Sequence, residues 1–229
     1  MTNTFAARMT LIRQRVEAAA AASGRAAEQV RVIAVAKTAS DADLQEAFAA
    51  GHPCYAHNRV QPLQQQHAVI PKADWHLIGP LQRNKARKAV PLIGMLHTLA
   101  GEKLAAQLNR LAEELRPAPL PVLLQVNLTP EDGRAGLHAE QVLPFLNGFA
   151  DWPWLECRGL MTMAPFQAGD DSLRRHFAAL RKLAQQGADQ QLLPPSPELS
   201  MGMSNDFEIA VEEGATLVRI GRALFPPAP

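Results

Sequence analysis

The chain has 229 residues, 47% of them hydrophobic and 20% charged, with a formal net charge of +1. That composition suits one large α/β domain over residues 1–229 with a sizeable core. A near-neutral balance without a basic run excludes a nucleic-acid footprint, and no apolar stretch approaches the ~18 residues that span a membrane. Cys54 and Cys157 are isolated, which excludes a disulfide framework. Met1 to Arg15 does not read as a secretory signal, so the expected address is cytoplasmic.

In chain order, residues 4–22 are alanine-rich with a helical pattern. Arg31 to Ala36 is an apolar run (Val32, Ile33, Ala34, Val35, Ala36), as a parallel strand covered on both faces requires. A helix is predicted over Asp41 to Ala50, ended by Gly51. A short strand follows over Cys54 to Ala56, then a glutamine-rich helix over 58–69. Trp75 to Ile78 reads as strand, Gln82 to Ala89 as helix, Ile93 to Thr98 as strand and Glu102 to Leu115 as a long helix. Val122 to Asn127 is the clearest central strand, followed by a loop over Thr129 to Gly136 and a helix over 139–149. Leu155 to Met161 is a strand and Ser172 to Gln186 a helix; the proline-rich stretch Leu192 to Pro197 is a rigid loop. Glu198 to Ser200, Asn205 to Glu213, Thr216 to Ile220 and Arg222 to Leu224 complete the series as strand, helix, strand and short helix. Eight strand–helix units with a helix in front predict an α/β fold, a single (β/α)8 TIM-type barrel with an extra N-terminal helix.

Two strand ends near the C-terminus, at Met201 to Ser204 and at Gly221-Arg222, bring small residues and backbone N–H groups to one place. With a helix starting at each, unpaired N–H groups and helix dipoles favour an anion such as phosphate there. Ile33, Val35 and Lys37 share one face of the first strand. If the first two point into a barrel, Lys37 reaches its mouth, where partial desolvation would make it an amine nucleophile for an aldehyde. A lysine that caps the strand and snorkels into solvent fits the same position. Arg219, between Val218 and Ile220, must find an acceptor because it stays charged; a structural salt bridge and a hydrogen bond to a cofactor ring nitrogen both satisfy that. His76 reads as a satisfied core histidine, and Asn58 and Asn84 as caps of the helices that follow them. No histidine or cysteine spacing matches a zinc site.

Several stretches together resemble the pyridoxal phosphate homeostasis family, which is similar in fold to the N-terminal domain of alanine racemases. They are Val32 to Thr38, Asn58 to Gln61, Trp75 to Lys85, Gln125 to Asn127, Gly159 to Met161, Leu199 to Ser204 and Val218 to Gly221. The resemblance implies a barrel with pyridoxal 5′-phosphate at its mouth. It implies an internal aldimine on Lys37, and phosphate held by Ser200, Ser204 and the backbone at Gly221 and Arg222. Arg219 would face the pyridine nitrogen, and Asn58 and Met201 join the cofactor-binding set. An arginine there leaves the nitrogen unprotonated and the ring a poor electron sink, which suits storage of the cofactor. The chain departs from the family pattern at Ala56-His57, where Gly-Glu is usual, and at Arg222, where threonine is usual. It also departs at Arg134-Ala135-Gly136 and in the tail Phe225 to Pro229.

Three functions follow as expectations. The first is a non-catalytic holder of pyridoxal phosphate, monomeric, delivering to pyridoxal-phosphate-dependent apoenzymes, with no nucleic-acid or membrane partner. The second is a single-domain racemase in which His57 or His76 replaces the tyrosine that alanine racemases take from a second domain; the chain's own tyrosine is Tyr55. The third is an interaction module that has lost the cofactor.

Overall fold

A computed structural model describes residues 4–129, 135–165 and 167–226. The strands are β1 Arg31–Val35, β2 Cys54–His57, β3 Asp74–Leu77, β4 Met95–Leu99, β5 Leu120–Asn127, β6 Leu137–His138, β7 Leu155–Met161, β8 Glu198–Met203 and β9 Leu217–Ile220. The helices are α1 Phe5–Ala22, α2 Asp41–Ala49, α3 Val60–Val69, α4 Arg83–Ala89, α5 Glu102–Leu115, α6 Ala139–Asn147, α7 Asp170–Asp189 and α8 Phe207–Glu212.

All strand pairings are parallel. The order β4-β3-β2-β1-β9-β8-β7-β5 is closed by a β4–β5 pairing, which makes an eight-stranded barrel. The two-residue β6, absent from the sequence expectation, adds to the outer end of β5. Among the described residues, closure leaves the eight barrel strands without a free edge, and it explains why they read as apolar runs: one face packs inward, the other under helices. Ile33, Val35, Cys54, Ala56, Met95, Leu123, Met161 and Leu217 form the inner cluster, separate from the larger core between strands and helices.

The second half of the last predicted unit differs from expectation. Arg222 to Leu224 is a turn, not a helix, with the N–H groups of Leu224 and Phe225 both donating to Gly221 O. The place of an eighth outer helix is taken by α1, which packs against α8 and α2. Thr4 caps it by accepting the N–H of Ala7, and Phe5, Met9, Ile12, Val16, Ala19 and Ala20 make its buried stripe at helical spacing. Each of the larger residues contributes roughly 1.5–3 kcal/mol by burial. Phe5 stacks on Phe225 at 5.5 Å between ring centroids, and Arg15 pairs with both carboxylate oxygens of Glu208.

Candidate functional site at the barrel mouth

Lys37 lies two residues beyond β1, in a turn at the C-terminal rim. It is exposed, so the desolvation expected from its position is not seen. Its turn is tied to the far end of the chain: Thr38 Oγ1 donates to Phe225 O at 3.1 Å. Register explains why they meet. Ala34 pairs with Ile220, so Gly221 lies beside Val35; a Cβ on Gly221 would be 3.5 Å from Val35 Cβ.

Two turns flank this point. One follows β8 and one follows β9. The N–H groups of Ser204 and Asn205 in the first, and of Arg222 and Ala223 in the second, donate to no acceptor among the described residues. Gly202, at φ +90°, lets α8 come close: a Cβ there would meet Phe207 Cα at 2.9 Å. Ser204 is half-buried and Arg222 exposed. Met201 is fully buried with its side chain in the outer core, so it faces the helices, leaving only its backbone on the strand.

Arg219 is buried beneath the turns. Its Nη1 donates to Ser200 Oγ at 2.7 Å and its Nη2 to Thr162 O at 3.0 Å. Burial pushes the guanidinium down to about 10, against the pull of the Asp206 carboxylate. Among the described residues no carboxylate lies within salt-bridge distance of it, so the structural salt bridge foreseen as an alternative is not what satisfies it. Ser200, expected at the phosphate, is fully buried inside the barrel, and its hydroxyl is taken by Arg219 and His97.

The β2 side of the rim is made by His57 and Asn58. Asn58 is exposed and does not cap α3, whose N-cap is Arg59; Asn84 lies inside α4 and caps nothing. His57 Nδ1 instead accepts the N–H of Arg59 at 2.9 Å. Burial, with the charges of Arg59 and Lys37, lowers its pKa. Tyr55 points the other way, packed fully buried between His52 and Trp75 outside the barrel. A cleft of about 540 Å3 opens over β3 to β5, lined by Arg83, Thr98, Lys103 and Gln125 among others, and its lining includes neither Lys37 nor the β8 and β9 turns. Arg134 and the tail from Pro227 to Pro229 lie outside the described residues.

The family profile "Alanine racemase, N-terminal domain" matches residues 10–229. The pyridoxal phosphate homeostasis protein of Escherichia coli (strain K12) is 33% identical, covering 97% of this chain and 96% of its own. That of Aquifex aeolicus is 31% identical, covering 95% and 96%. The chain belongs to the pyridoxal phosphate homeostasis protein family. The solved structure of PipY from Synechococcus elongatus PCC7942, with pyridoxal phosphate bound, superposes with a TM-score of 0.85 at 35% identity, covering 97% of this chain and all of that one. Alanine racemase of Corynebacterium glutamicum shares the fold alone, with a TM-score of 0.69 at 16% identity.

Sequence reasoning missed several polar residues of this family barrel. His97 and Thr162 are buried in its interior, and Asp206 accepts the N–H of Met203. Thr98 Oγ1 donates to Gly79 O. The fold also brings Cys54, Asp74 and His76 together, with potential ligand atoms all within 4.8 Å of one another, a grouping that the spacing in sequence does not show. His76 Nε2 there is engaged by Asp74 at 3.0 Å, and burial pushes the Cys54 thiol well up, which keeps it protonated.

Proposed function

We propose that this protein binds pyridoxal 5′-phosphate covalently through Lys37 and holds it for delivery to pyridoxal-phosphate-dependent apoenzymes, without turnover of its own. The observation that carries the reading is one juxtaposition. The Lys37 turn is joined through Thr38 to the Gly221–Phe225 turn, where N–H groups are unspent, and Arg219 lies buried beneath.

The donor set fits the cofactor: a primary amine, unspent N–H groups at two adjacent strand ends, and a guanidinium. The cofactor, when bound, supplies an aldehyde that condenses reversibly with amines and a ring that can delocalise electrons. Lys37 offers the amine at a solvent-open rim. The N–H groups of Ser204, Asn205, Arg222 and Ala223 receive the phosphate, with the Ser204 hydroxyl and the Arg222 side chain as further donors. Ser200, inside the barrel, acts on Arg219 and not on the phosphate. Arg219 stays a donor at neutral pH and meets the pyridine nitrogen as one. A donor there leaves the nitrogen no proton of its own and disfavours carbanion chemistry.

Racemisation needs an acid–base group on each face of the ring. Tyr55 is packed away from the mouth, and His57 Nδ1 is occupied by the Arg59 N–H. Both observations support holding over turnover. A monomer suffices for this role.

The test is a visible spectrum of the purified protein with added pyridoxal phosphate, then borohydride reduction and mass mapping. The expected result is a coloured protein modified at Lys37. A protein that stays colourless, or a label on another lysine, overturns the reading, and amino-acid turnover well above a Lys37→Ala control overturns the carrier half of it.

A further inference from the structure

A file of polar side chains runs through the barrel interior from one end to the other. Asp74, first residue of β3, stands at the N-terminal end. Its Oδ2 is 3.0 Å from His76 Nε2; His76 Nδ1 is 2.9 Å from His97 Nε2; His97 Nδ1 is 2.9 Å from Ser200 Oγ. Arg219 Nη1, under the mouth, is 2.7 Å from the same hydroxyl. His76, His97, Ser200 and Arg219 are each at most 4% exposed, so water does not compete for the bonds among them; the Asp74 side chain, 42% exposed, opens to solvent at the barrel end.

The two ends dictate how protons are distributed. An ionised carboxylate only accepts, so His76 Nε2 carries a proton and donates it to Asp74. A guanidinium only donates, so Ser200 Oγ accepts from Arg219. Between them stand two imidazoles and a hydroxyl. If both imidazoles are neutral, His76 Nδ1 is bare and takes the proton on His97 Nε2. His97 Nδ1 is then bare and takes the proton of Ser200. Every donor meets one acceptor, all pointing from Arg219 towards Asp74.

The other arrangement makes His76 an imidazolium and turns the His97 and Ser200 bonds round. It places a second buried cation in the same file as Arg219, an unfavourable charge in a dry interior. Burial first, with the charges of Arg219 and Arg31, holds His97 well below its ordinary pKa. Around Asp74 lie Cys54, Arg31 and Arg158, and Glu198 lies near Cys54 and pairs with Arg31 at 3.1 Å. The acid therefore sits among other charged groups at the barrel floor, partly open to solvent.

We propose that His97 is a positioning residue for cofactor binding: through Ser200 it holds the Arg219 guanidinium in place under the mouth, with the direction of the whole file set by the Asp74 carboxylate at the opposite end of the barrel. This rests on the reading that Arg219 meets the cofactor's ring nitrogen. Because Ser200 spends its proton on His97, its lone pairs remain for Arg219. The anchored Nη1 and Nη2 leave the rest of the guanidinium to face the ligand. The floor of the barrel thus tunes a site at its rim that it does not touch.

Two measurements test this. In cofactor-free protein with 15N-labelled histidine, the imidazole shifts of His97 are expected to show a proton on Nε2 and a bare Nδ1. A proton on Nδ1 overturns the proposal, whatever the cofactor does. In protein loaded with pyridoxal phosphate, Asp74→Asn and His97→Leu are expected to shift the visible band of the bound cofactor and weaken its retention about three- to tenfold. Attachment at Lys37 persists in both. His97→Gln, whose amide offers one donor and one acceptor, is expected to restore the band. A band and retention unchanged in folded Asp74→Asn and His97→Leu overturn the proposal. A wild-type protein that takes up no cofactor instead removes the underlying reading, and leaves the histidine shifts as a separate result.

Discussion

The α-carbon of Gly79, just past β3, faces the backbone of Asn58 so closely that a Cβ would lie 2.1 Å from Asn58 O and 2.8 Å from its carbonyl carbon. No flexible side chain can yield there, because the obstacle is main chain. The contact holds the β2 rim, with His57 and Asn58, against the start of the next loop. Gly79→Ala is expected to destabilise the fold by about 1–3 kcal/mol as the two backbones separate. Urea denaturation reads this as a lower midpoint with an unchanged slope.

The pH dependence of stability has a sign set by buried histidines. His52 Nε2 donates to Cys54 O at 2.8 Å, and its Nδ1 is buried with no partner among the described residues. Burial pushes its pKa from 6.5 down to about 4. Above pH 6.5 both folded and unfolded states hold it neutral, and it contributes no slope. Below 6.5 the unfolded chain takes up a proton that the folded one refuses, so stability falls by up to about 1.4 kcal/mol per pH unit until near pH 4. His57 and His97, also lowered, add to the same trend. Denaturation across pH 4 to 8 should show the decline, and His52→Gln should remove about one proton from its slope.

Arg8 and Phe5 of α1 hold the turn after β9. Arg8 Nε donates to Leu224 O at 2.8 Å, and Phe5 stacks on Phe225. Phe5→Ala is expected to cost about 3–5 kcal/mol. Arg8→Ala should cost less, about 1–3 kcal/mol. Both should lower retention of pyridoxal phosphate more than an exposed change such as Leu11→Ala, because the loosened turn carries the N–H groups of Arg222 and Ala223. Equilibrium dialysis beside a thermal melt separates the two effects.

Arg222 stands in that turn with its side chain in solvent. Arg222→Thr is expected to weaken binding of pyridoxal phosphate about three- to tenfold at low salt and less at high salt, as an exposed charge contributes modestly and is screened. An affinity that ignores both substitution and salt would mean that main-chain donors alone hold the phosphate.

The barrel was legible because burial on both faces leaves continuous apolar runs, as in Val32 to Ala36 and Val122 to Asn127. The ends of the chain were less so. β8 is built from Ser200, Met201 and Gly202, whose small and polar residues hide a six-residue strand. Arg222 to Leu224 looked helical since nothing local shows that α1 already occupies the outer position beside α8. Strand alternation singles out Lys37, and a charge set between Val218 and Ile220 in an apolar strand singles out Arg219. The partners of Arg219 were not legible, because Ser200 lies 19 residues and Thr162 57 residues from it; His97, which shares the Ser200 hydroxyl, lies 103 residues from that serine, and only the barrel brings them together. Asn58 resembles a cap by type, yet α3 has Arg59 at its N-cap and no side chain caps it.

Placing α1 between α8 and α2 gives the ring an order of completion. As the chain is synthesised, α1 emerges first, but Leu224, which Arg8 holds, follows 216 residues later. The apolar stripe of α1, which meets α2 early, is not fully covered until α8 is made, a long-range closure of the kind that slows folding. The turn that would grip a phosphate is therefore finished last. A partly made chain has its Lys37 amine exposed early and lacks the turn at Gly221 to Phe225 until the barrel itself is whole.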